Sequence, residues 1–413
     1  MILKQIIVCL FGVLFCYSCV AEVKTYSTLF KASKRLVAPY GVCTHINRKG
    51  DMWEFDTKEN DLAKINGLGV SFIRTDFDWG YCQPNKSKPN SFVHHDNMME
   101  AVCNQKLDVL GIFSSPRSRT DKQWDVYVAD VVGHYQSSVK YWEVINEADL
   151  WHRRQSNFTP EDYVSILKTA YPIIKKENRK AKVLFSGISN VNMGFIEKVF
   201  EQNVADYFDI MNIHWYANKN NEPESFFEYF EKLHSIMNKY HVKKNVWLTE
   251  TGCTTASGYA DEDTQARRLP RIFLISYACG IDKVFWYKSR SRELTDDSED
   301  FYGLWHKDYQ PKPVYYAYKM LVGMCPSGST RPQITRIGDI FMAKWKQPKG
   351  QQVTALWTSK GTETFGLNSV PANVYDIMGN KVNIQSNAVT VSPSVIYLLG
   401  KVDFKLEDDV DKI

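Results

Sequence analysis

The sequence predicts an α/β protein, a (β/α)8 TIM barrel followed by a small C-terminal antiparallel β-sandwich domain. Three observations carry that prediction. Eight short apolar runs recur between Tyr40 and Trp286. Amphipathic stretches of helical period separate them. The texture changes at Pro326-Ser327-Gly328-Ser329, and the apolar runs beyond it are short and β-rich.

The chain opens with Met-Ile-Leu-Lys, an apolar run from Ile6 to Cys16 and a small-residue exit at Cys19-Val20-Ala21. That is the pattern of a secretory signal peptide over residues 1–21. The run is too short to span a bilayer, and no later stretch reads as a transmembrane helix. Cleavage after Ala21 gives a soluble exported protein, periplasmic or extracellular. Cleavage before Cys19, with lipid added to that Cys, gives a cell-surface lipoprotein anchored there. Of the 9 Cys, six lie beyond this leader. They are scattered without a C-x-x-C pair, which argues against a zinc site. An exported chain could pair some of them, but a large core needs no such staples and buried free thiols are the better reading.

The barrel is expected over residues 24–325. Its strands are expected at Tyr40–His45, Val70–Asp76, Leu107–Phe113, Lys140–Ile145, Lys182–Ser186, Phe208–Ile213, Asn245–Thr249 and Lys283–Trp286. Glu54–Leu68 places Leu62, Ile65 and Leu68 on one helical face. Pro160–Glu177 has Thr159 as N-cap and Pro160 at the first helical position. Phe226–Tyr240, Asp261–Cys279 and Pro313–Met324 also read as helices. The β domain is expected over 330–405, with runs at Ile340–Trp345, Gln352–Thr358, Val370–Tyr375 and Val389–Leu399.

Composition bounds the function. With 44% hydrophobic and 24% charged residues over 413 positions, the chain is not disordered. Lys+Arg number 51 against 47 Asp+Glu, a balance that gives no support to nucleic-acid binding. Aromatics at 14% fit a large core plus a ligand cleft. There is no G-x-S-x-G elbow, P-loop or H-E-x-x-H, and His94-His95 has poor zinc spacing. No cofactor or metal is expected.

In such a barrel the active site lies where strands end. Two carboxylates stand there: Glu147 in Tyr-Trp-Glu-Val-Ile-Asn-Glu after the fourth strand, and Glu250 in Trp-Leu-Thr-Glu-Thr-Gly after the seventh. A pair of carboxyl groups about 5–5.5 Å apart is what retaining glycoside hydrolysis requires.

Asn146-Glu147 and Glu250, in that order on eight strands, resemble the clan A glycoside hydrolases. Glu143 to Trp151, Pro160-Glu161-Asp162-Tyr163, Ala170 to Lys175 and Pro311 to Tyr318 are similar to glycoside hydrolase family 39 and related (β/α)8 glycosidases. The resemblance covers about residues 38–325. It implies an exported retaining hydrolase of a poly- or oligosaccharide, with Glu147 as acid/base, Glu250 as nucleophile and Asn146 on the sugar 2-hydroxyl. Ala148 departs from the family's usual Pro. The alternative is a catalytically inactive barrel acting as a surface glycan-binding protein.

Supporting residues follow around the rim. Arg74, on the second strand, is a cation that would keep Glu250 ionised. His45, ending the first strand, is a candidate for a sugar hydroxyl. The resemblance implies sugar-facing roles for His214 and Tyr216 after the sixth strand, and a stacking platform at Trp286. Trp79 and Trp151 are weaker aromatic candidates. Arg117, Arg119, Arg153, Arg154, Lys288, Arg290 and Arg292 make the rim loops cationic. Arg forks suit carboxylates and sulfates, so an acidic or sulfated glycan stands beside the plainer reading of solvated loops.

Overall fold

The structure is a computed structural model that describes residues 22–402, apart from 51–53, 86, 117–121, 151–157, 218–220 and 385–386. The signal segment, Arg117, Arg119, Trp151, Arg153 and Arg154 lie outside the described residues. Among those described, no helix is long and apolar enough to cross a membrane.

Strand β1 (Val23–Tyr26) stands outside the barrel. The next eight strands close it in chain order: β2 (Tyr40–Cys43), β3 (Phe72–Phe77), β4 (Asp108–Phe113), β5 (Tyr141–Glu143), β6 (Lys182–Leu184), β7 (Ile210–His214), β8 (Asn245–Thr251) and β9 (Ile281–Trp286). Each overlaps one of the eight apolar runs. All neighbours are parallel, and β2 pairs with β9 through Tyr40↔Val284 and Val42↔Trp286 to close the ring.

Successive strand residues point to opposite faces. Phe72, Leu110, Leu184, Ile210, Trp247 and Phe285 therefore fill the lower interior as one apolar cluster. Two residues further along their strands stand Arg74 on β3, Ile112 on β4 and Asn212 on β7, and two beyond Arg74 stands Asp76. The interior thus turns polar toward the ends where the strands give way to loops. At the opposite end Lys283 closes the floor. Its Nζ donates to the carbonyls of Val37 and Ala38 and lies 4.3 Å from the Phe72 ring centre.

Helices pack outside. Pro160–Glu177 starts with a capping box: the Thr159 hydroxyl accepts from the Asp162 amide and the Asp162 carboxylate accepts from the Thr159 amide. Glu262–Cys279 is capped by Asp261 and ends at Gly280 with φ 101°, a left-handed turn that glycine takes without strain. Among the described residues, four helices were not expected from the sequence: the single turn Trp79–Cys82, then Val93–Asn104, Lys122–His134 and Met193–Phe200. The helix Val93–Asn104 buries His95 beside Met98 and Val102, so a polar residue breaks its apolar stripe.

The remaining strands are antiparallel: β10 (Gln333–Ile337), β11 (Ile340–Lys346), β12 (Gln352–Thr358), β13 (Glu363–Gly366), β14 (Asn373–Tyr375), β15 (Ala388–Val391) and β16 (Ile396–Leu399). One sheet runs β1-β10-β11-β12-β16-β14, and β13-β15 forms a second. Ile340, Met342, Leu356, Phe365, Val389 and Val391 pack between the two. The expected run Val389–Leu399 splits at Ser392-Pro393-Ser394, because Pro cannot continue a ladder. Its halves join different sheets. The pairing of β1 with β10, Val23↔Ile337 to Tyr26↔Ile334, ties the chain's first described strand to its last domain. All six cysteines beyond the leader are free thiols; Cys103 is exposed and the other five are buried.

Candidate active site

A cavity of about 430 Å³ opens at the barrel mouth and is lined by His45, Arg48, Arg74, Asp76, Asn146, Glu147, Tyr216, Glu250, Tyr287 and Glu299, among others. A second concavity of about 320 Å³ continues from it past Glu147, lined by Asp78, Phe113, Ser114 and Ser115.

Glu147 and Glu250 meet here. β5 ends at Glu143, and the chain then turns through left-handed conformations at Ile145 (φ 58°) and Glu147 (φ 46°). Such conformations are disfavoured for a β-branched residue and cost about 1–3 kcal/mol each. The surroundings hold them. The Ala148 amide donates to Ser186 Oγ at 2.9 Å, and Ser186 is itself anchored by its amide to Tyr163 Oη. Pro at position 148 would have no hydrogen to give Ser186, so the departure to Ala brings a bond of its own.

The buried Arg74 guanidinium organises the floor of the cavity. It grips Glu143 bidentately, Nε to Oε2 at 2.8 Å and Nη2 to Oε1 at 2.9 Å. Nη1 donates to Glu250 Oε1 at 2.6 Å, and Nη2 donates to Asn146 Oδ1 at 2.6 Å. Glu143, wholly buried, also accepts from the Gly187 amide. Tyr216 Oη donates to the other oxygen of Glu250 at 2.6 Å.

His214 stands behind both carboxylates. Nδ1 lies 3.0 Å from Glu147 Oε1 and 3.4 Å from Glu250 Oε2. The Thr249 hydroxyl donates to Asn212 Oδ1 at 2.6 Å, so its 3.1 Å contact with His214 Nε2 is one in which the ring donates. Nδ1 of the neutral ring is then an acceptor facing Glu147. Gly187 leaves room for the ring; a Cβ there would overlap it.

The environments push the two carboxyls apart. Burial raises the Glu147 pKa above the ordinary glutamate value, and the Glu250 charge adds to this against the His214 bond. Burial acts to raise Glu250 as well. His214, Arg74 and the Tyr216 hydroxyl together outweigh it and leave Glu250 below the ordinary value. The His214 pKa is raised: burial opposes its charge, but both glutamates favour it. One carboxyl inclined to stay protonated beside one inclined to stay ionised is an acid–nucleophile arrangement.

One atom each of Glu147, His214 and Glu250 lie within 4.8 Å of one another, close enough to hold a cation. Arg74 and Tyr216 already supply Glu250 with positive and hydrogen-bonding partners.

The other expected residues fall as follows. Asn146, Arg74, His45 and Tyr216 line the cavity. His45 Nε2 contacts Tyr287 Oη at 3.3 Å, and its ring lies beside Asp76. His214 does not line it; the ring is 0% exposed and reaches substrate only through Glu147 and Glu250. Trp286 is also 0% exposed and packs in the outer core, which corrects the expectation of a stacking platform. Phe285 points into the barrel, so by strand alternation Trp286 points out and Tyr287 points in. Tyr287 and Tyr302 join Tyr216 as tyrosines of the cavity wall. Trp79 is buried beneath its loop, stacked against Tyr127. Arg292 pairs with Asp300 at 2.5 Å, Arg290 bonds Tyr309 Oη, and Lys288 is buried with its pKa pushed down to about 8, chiefly by that burial. The two described rim arginines after β9 are therefore held in structural pairs.

Sequence reasoning missed Arg48, Asp76, Glu143, Tyr287 and Glu299 as parts of the site. Arg48 binds Asp76 at 2.9 Å, and Tyr287 donates to Glu299 Oε2 at 2.9 Å. Counting by twos from Arg74 would have found Asp76. Nothing local marks Arg48, which arrives on a loop, or Glu299, which arrives on the short 3-10 turn Ser298–Phe301.

The family described as glycosyl hydrolase catalytic core matches residues 75–318. No curated protein matches the sequence. Among solved structures, a family 39 glycoside hydrolase from the gut symbiont Bacteroides cellulosilyticus WH2 is similar with a TM-score of 0.74 and 22% identity, over 89% of this chain and 81% of that one. A monomeric beta-xylosidase from Caulobacter crescentus CB15 has a TM-score of 0.65 and 10% identity, over 90% of this chain and 98% of its own. A GH51 arabinofuranosidase from Xanthomonas axonopodis pv. citri has a TM-score of 0.63 and 12% identity, over 92% and 100%. At these identities the likeness is one of fold.

Proposed function

The chain belongs to the glycosyl hydrolase catalytic core family, and from that membership we propose that it is a retaining glycosidase, and from its leader sequence that it is exported. The observation that carries retention is the convergence of Glu147 and Glu250 at the barrel mouth. Oxygen atoms of the two carboxyls come within 4.8 Å of each other, on the scale of a direct displacement. An inverting pair stands about 6.5–9.5 Å apart to admit a water.

In the proposed reaction Glu250 attacks the anomeric carbon while Glu147 gives its proton to the departing glycosidic oxygen. The carbon–oxygen bond of the substrate breaks, and an ester to Glu250 forms. Glu147, now a carboxylate, takes a proton from water, and that water displaces Glu250 from the sugar. Arg74 and Tyr216 keep Glu250 ionised and fix its two oxygens. His214 receives or returns a proton at Glu147 Oε1 as the charge there changes. Asn146, held through Oδ1, serves the sugar 2-hydroxyl. The sugar lies against Tyr287 and His45, and the leaving group extends past Glu147 toward Ser114 and Ser115.

The test is sugar release from a panel of neutral and acidic glycans, run beside Glu250→Gln. Release that vanishes in a folded variant, with the first-formed product keeping the substrate's anomeric configuration by NMR, is the expected result. Normal turnover by Glu250→Gln overturns the assignment, and an inverted first product overturns retention. Export rests on the leader sequence. Cell fractionation, with mass analysis of the mature N-terminus, distinguishes release after Ala21 from a lipid on Cys19.

A further inference from the structure

The part of the cavity wall made by His45 and Tyr287 is braced from behind. His45 follows β2 and Tyr287 follows β9, and their side chains meet at 3.3 Å. Both line the cavity. Behind them stands Glu54, which is only 4% exposed. Its two carboxyl oxygens take three hydrogen bonds. Oε2 accepts from the His45 amide at 2.9 Å and from the Thr44 hydroxyl. Oε1 accepts from the Ser289 hydroxyl at 2.7 Å, two residues past Tyr287. One side chain thus ties the segment after β2 to the segment after β9.

The backbone keeps both segments close to that tie. The Ser289 amide donates to the Cys43 carbonyl at 2.9 Å, and the Ser289 carbonyl accepts from the Leu304 amide at 2.8 Å. The Phe55 amide donates to the Arg48 carbonyl at 3.1 Å, which closes the loop carrying His45 and Arg48. Between Tyr287 and Ser289 lies the buried Lys288. Burial opposes its charge, and Glu54 favours it.

A carboxyl group buried this deeply is costly unless its oxygens are bonded. An apolar side chain of similar volume would fill such a space with less penalty. The described bonds of Glu54 all go to the two segments that carry the wall. Residues that touch a ligand must be held within about 0.5 Å by packing and by hydrogen bonds behind them. We propose that Glu54 is a positioning residue: it sets His45 against Tyr287, and through them it holds the sugar. The sugar rests on the glycosidase reading; the bracing of His45 and Tyr287 does not.

The test has two arms, both on the full chain. The first is histidine side-chain NMR, with the His45 resonance identified by its loss in His45→Gln. Tyr287→Phe removes the hydroxyl from His45 and gives the shift of a detached ring. Ser289→Ala and Glu54→Ala should move the resonance toward that position. Glu54→Gln keeps an oxygen for Thr44 and His45 and an amide to donate to Ser289 Oγ, so it should return most of the way to wild type. Glu54→Ala also takes a counter-charge from Lys288; should it not fold, Ser289→Ala, which keeps the carboxyl, decides the point. The second arm is the kinetics of the panel glycan that is released fastest. Ser289→Ala should raise KM about 3- to 10-fold, the loss of one hydrogen bond, and lower kcat less. The pH limbs should stay in place, because Ser289 touches neither Glu147 nor Glu250. In a Tyr287→Phe background the same change should add little, since a residue that acts through another has nothing left to act on. A His45 resonance unmoved by both truncations overturns the proposal, and so do penalties that multiply independently with Tyr287→Phe. No release from any panel glycan by the wild type defeats the glycosidase reading instead, and the NMR arm still decides the bracing.

Discussion

Glu147 Oε1 lies 3.0 Å from His214 Nδ1, a nitrogen that acts as an acceptor whenever the ring is neutral. The pair therefore holds a proton at the point where the proposed leaving group departs. The proposed reaction needs Glu147 protonated and Glu250 ionised, so activity should be bell-shaped in pH. The alkaline limb belongs to Glu147, which burial and the Glu250 charge raise above an ordinary glutamate. The acid limb belongs to Glu250. It sits below the ordinary value because His214, Arg74 and Tyr216 outweigh its burial. His214→Gln removes a lowering influence from both, so both limbs should move to higher pH. The profile of kcat/KM checks this, and unmoved limbs would remove His214 from the proton pair.

Tyr216→Phe deletes the 2.6 Å bond to Glu250 and nothing else of size. A hydrogen bond to a charged group is worth about 1.5–3 kcal/mol. The expected loss in kcat/KM is about 10- to 100-fold, with the acid limb moved up. Full activity with an unshifted limb would show that the hydroxyl does not act on Glu250.

Arg74→Met should cost the fold as well as the reaction. Glu143 is fully buried and takes two of the guanidinium's bonds. Removing one partner of a buried ion pair costs about 3–5 kcal/mol. Denaturant unfolding should show that loss, and adding Glu143→Gln to the same chain should recover part of it. A wild-type midpoint in the single variant would contradict the buried network.

Tyr287 and Trp286 separate binding from packing. Tyr287→Ala should raise KM, because the ring lines the cavity and orders His45 and Glu299. Trp286→Phe should lower thermal stability and leave KM unchanged, since the indole lies in the outer core. Reversed effects would return Trp286 to the substrate.

The barrel was legible in the sequence because its signal is local. Eight apolar runs of strand length, separated by helical periods, suffice to count the strands. The strand ends then point to Glu147 and Glu250 without any knowledge of distance. Thr159-Pro160 and Asp261 mark helix starts for the same reason: a cap bonds residues three apart. The helix at Val93–Asn104 escaped because its buried face includes His95, a residue whose polarity hides the stripe.

The sequence by itself determined the fold class, the two carboxylates and their family. Tertiary structure alone decided which residues surround them. Arg74 meets Glu143 across 69 positions and Glu250 across 176, and no local pattern records such pairings. β1 finds β10 across the whole barrel. The aim of Trp286 and Tyr287 turned on a single residue of strand alternation, where a shift of one exchanges core for cleft. Strand number is a property of local periodicity. The facing of a side chain, and the charge that meets it there, depends on how the ring of strands closes.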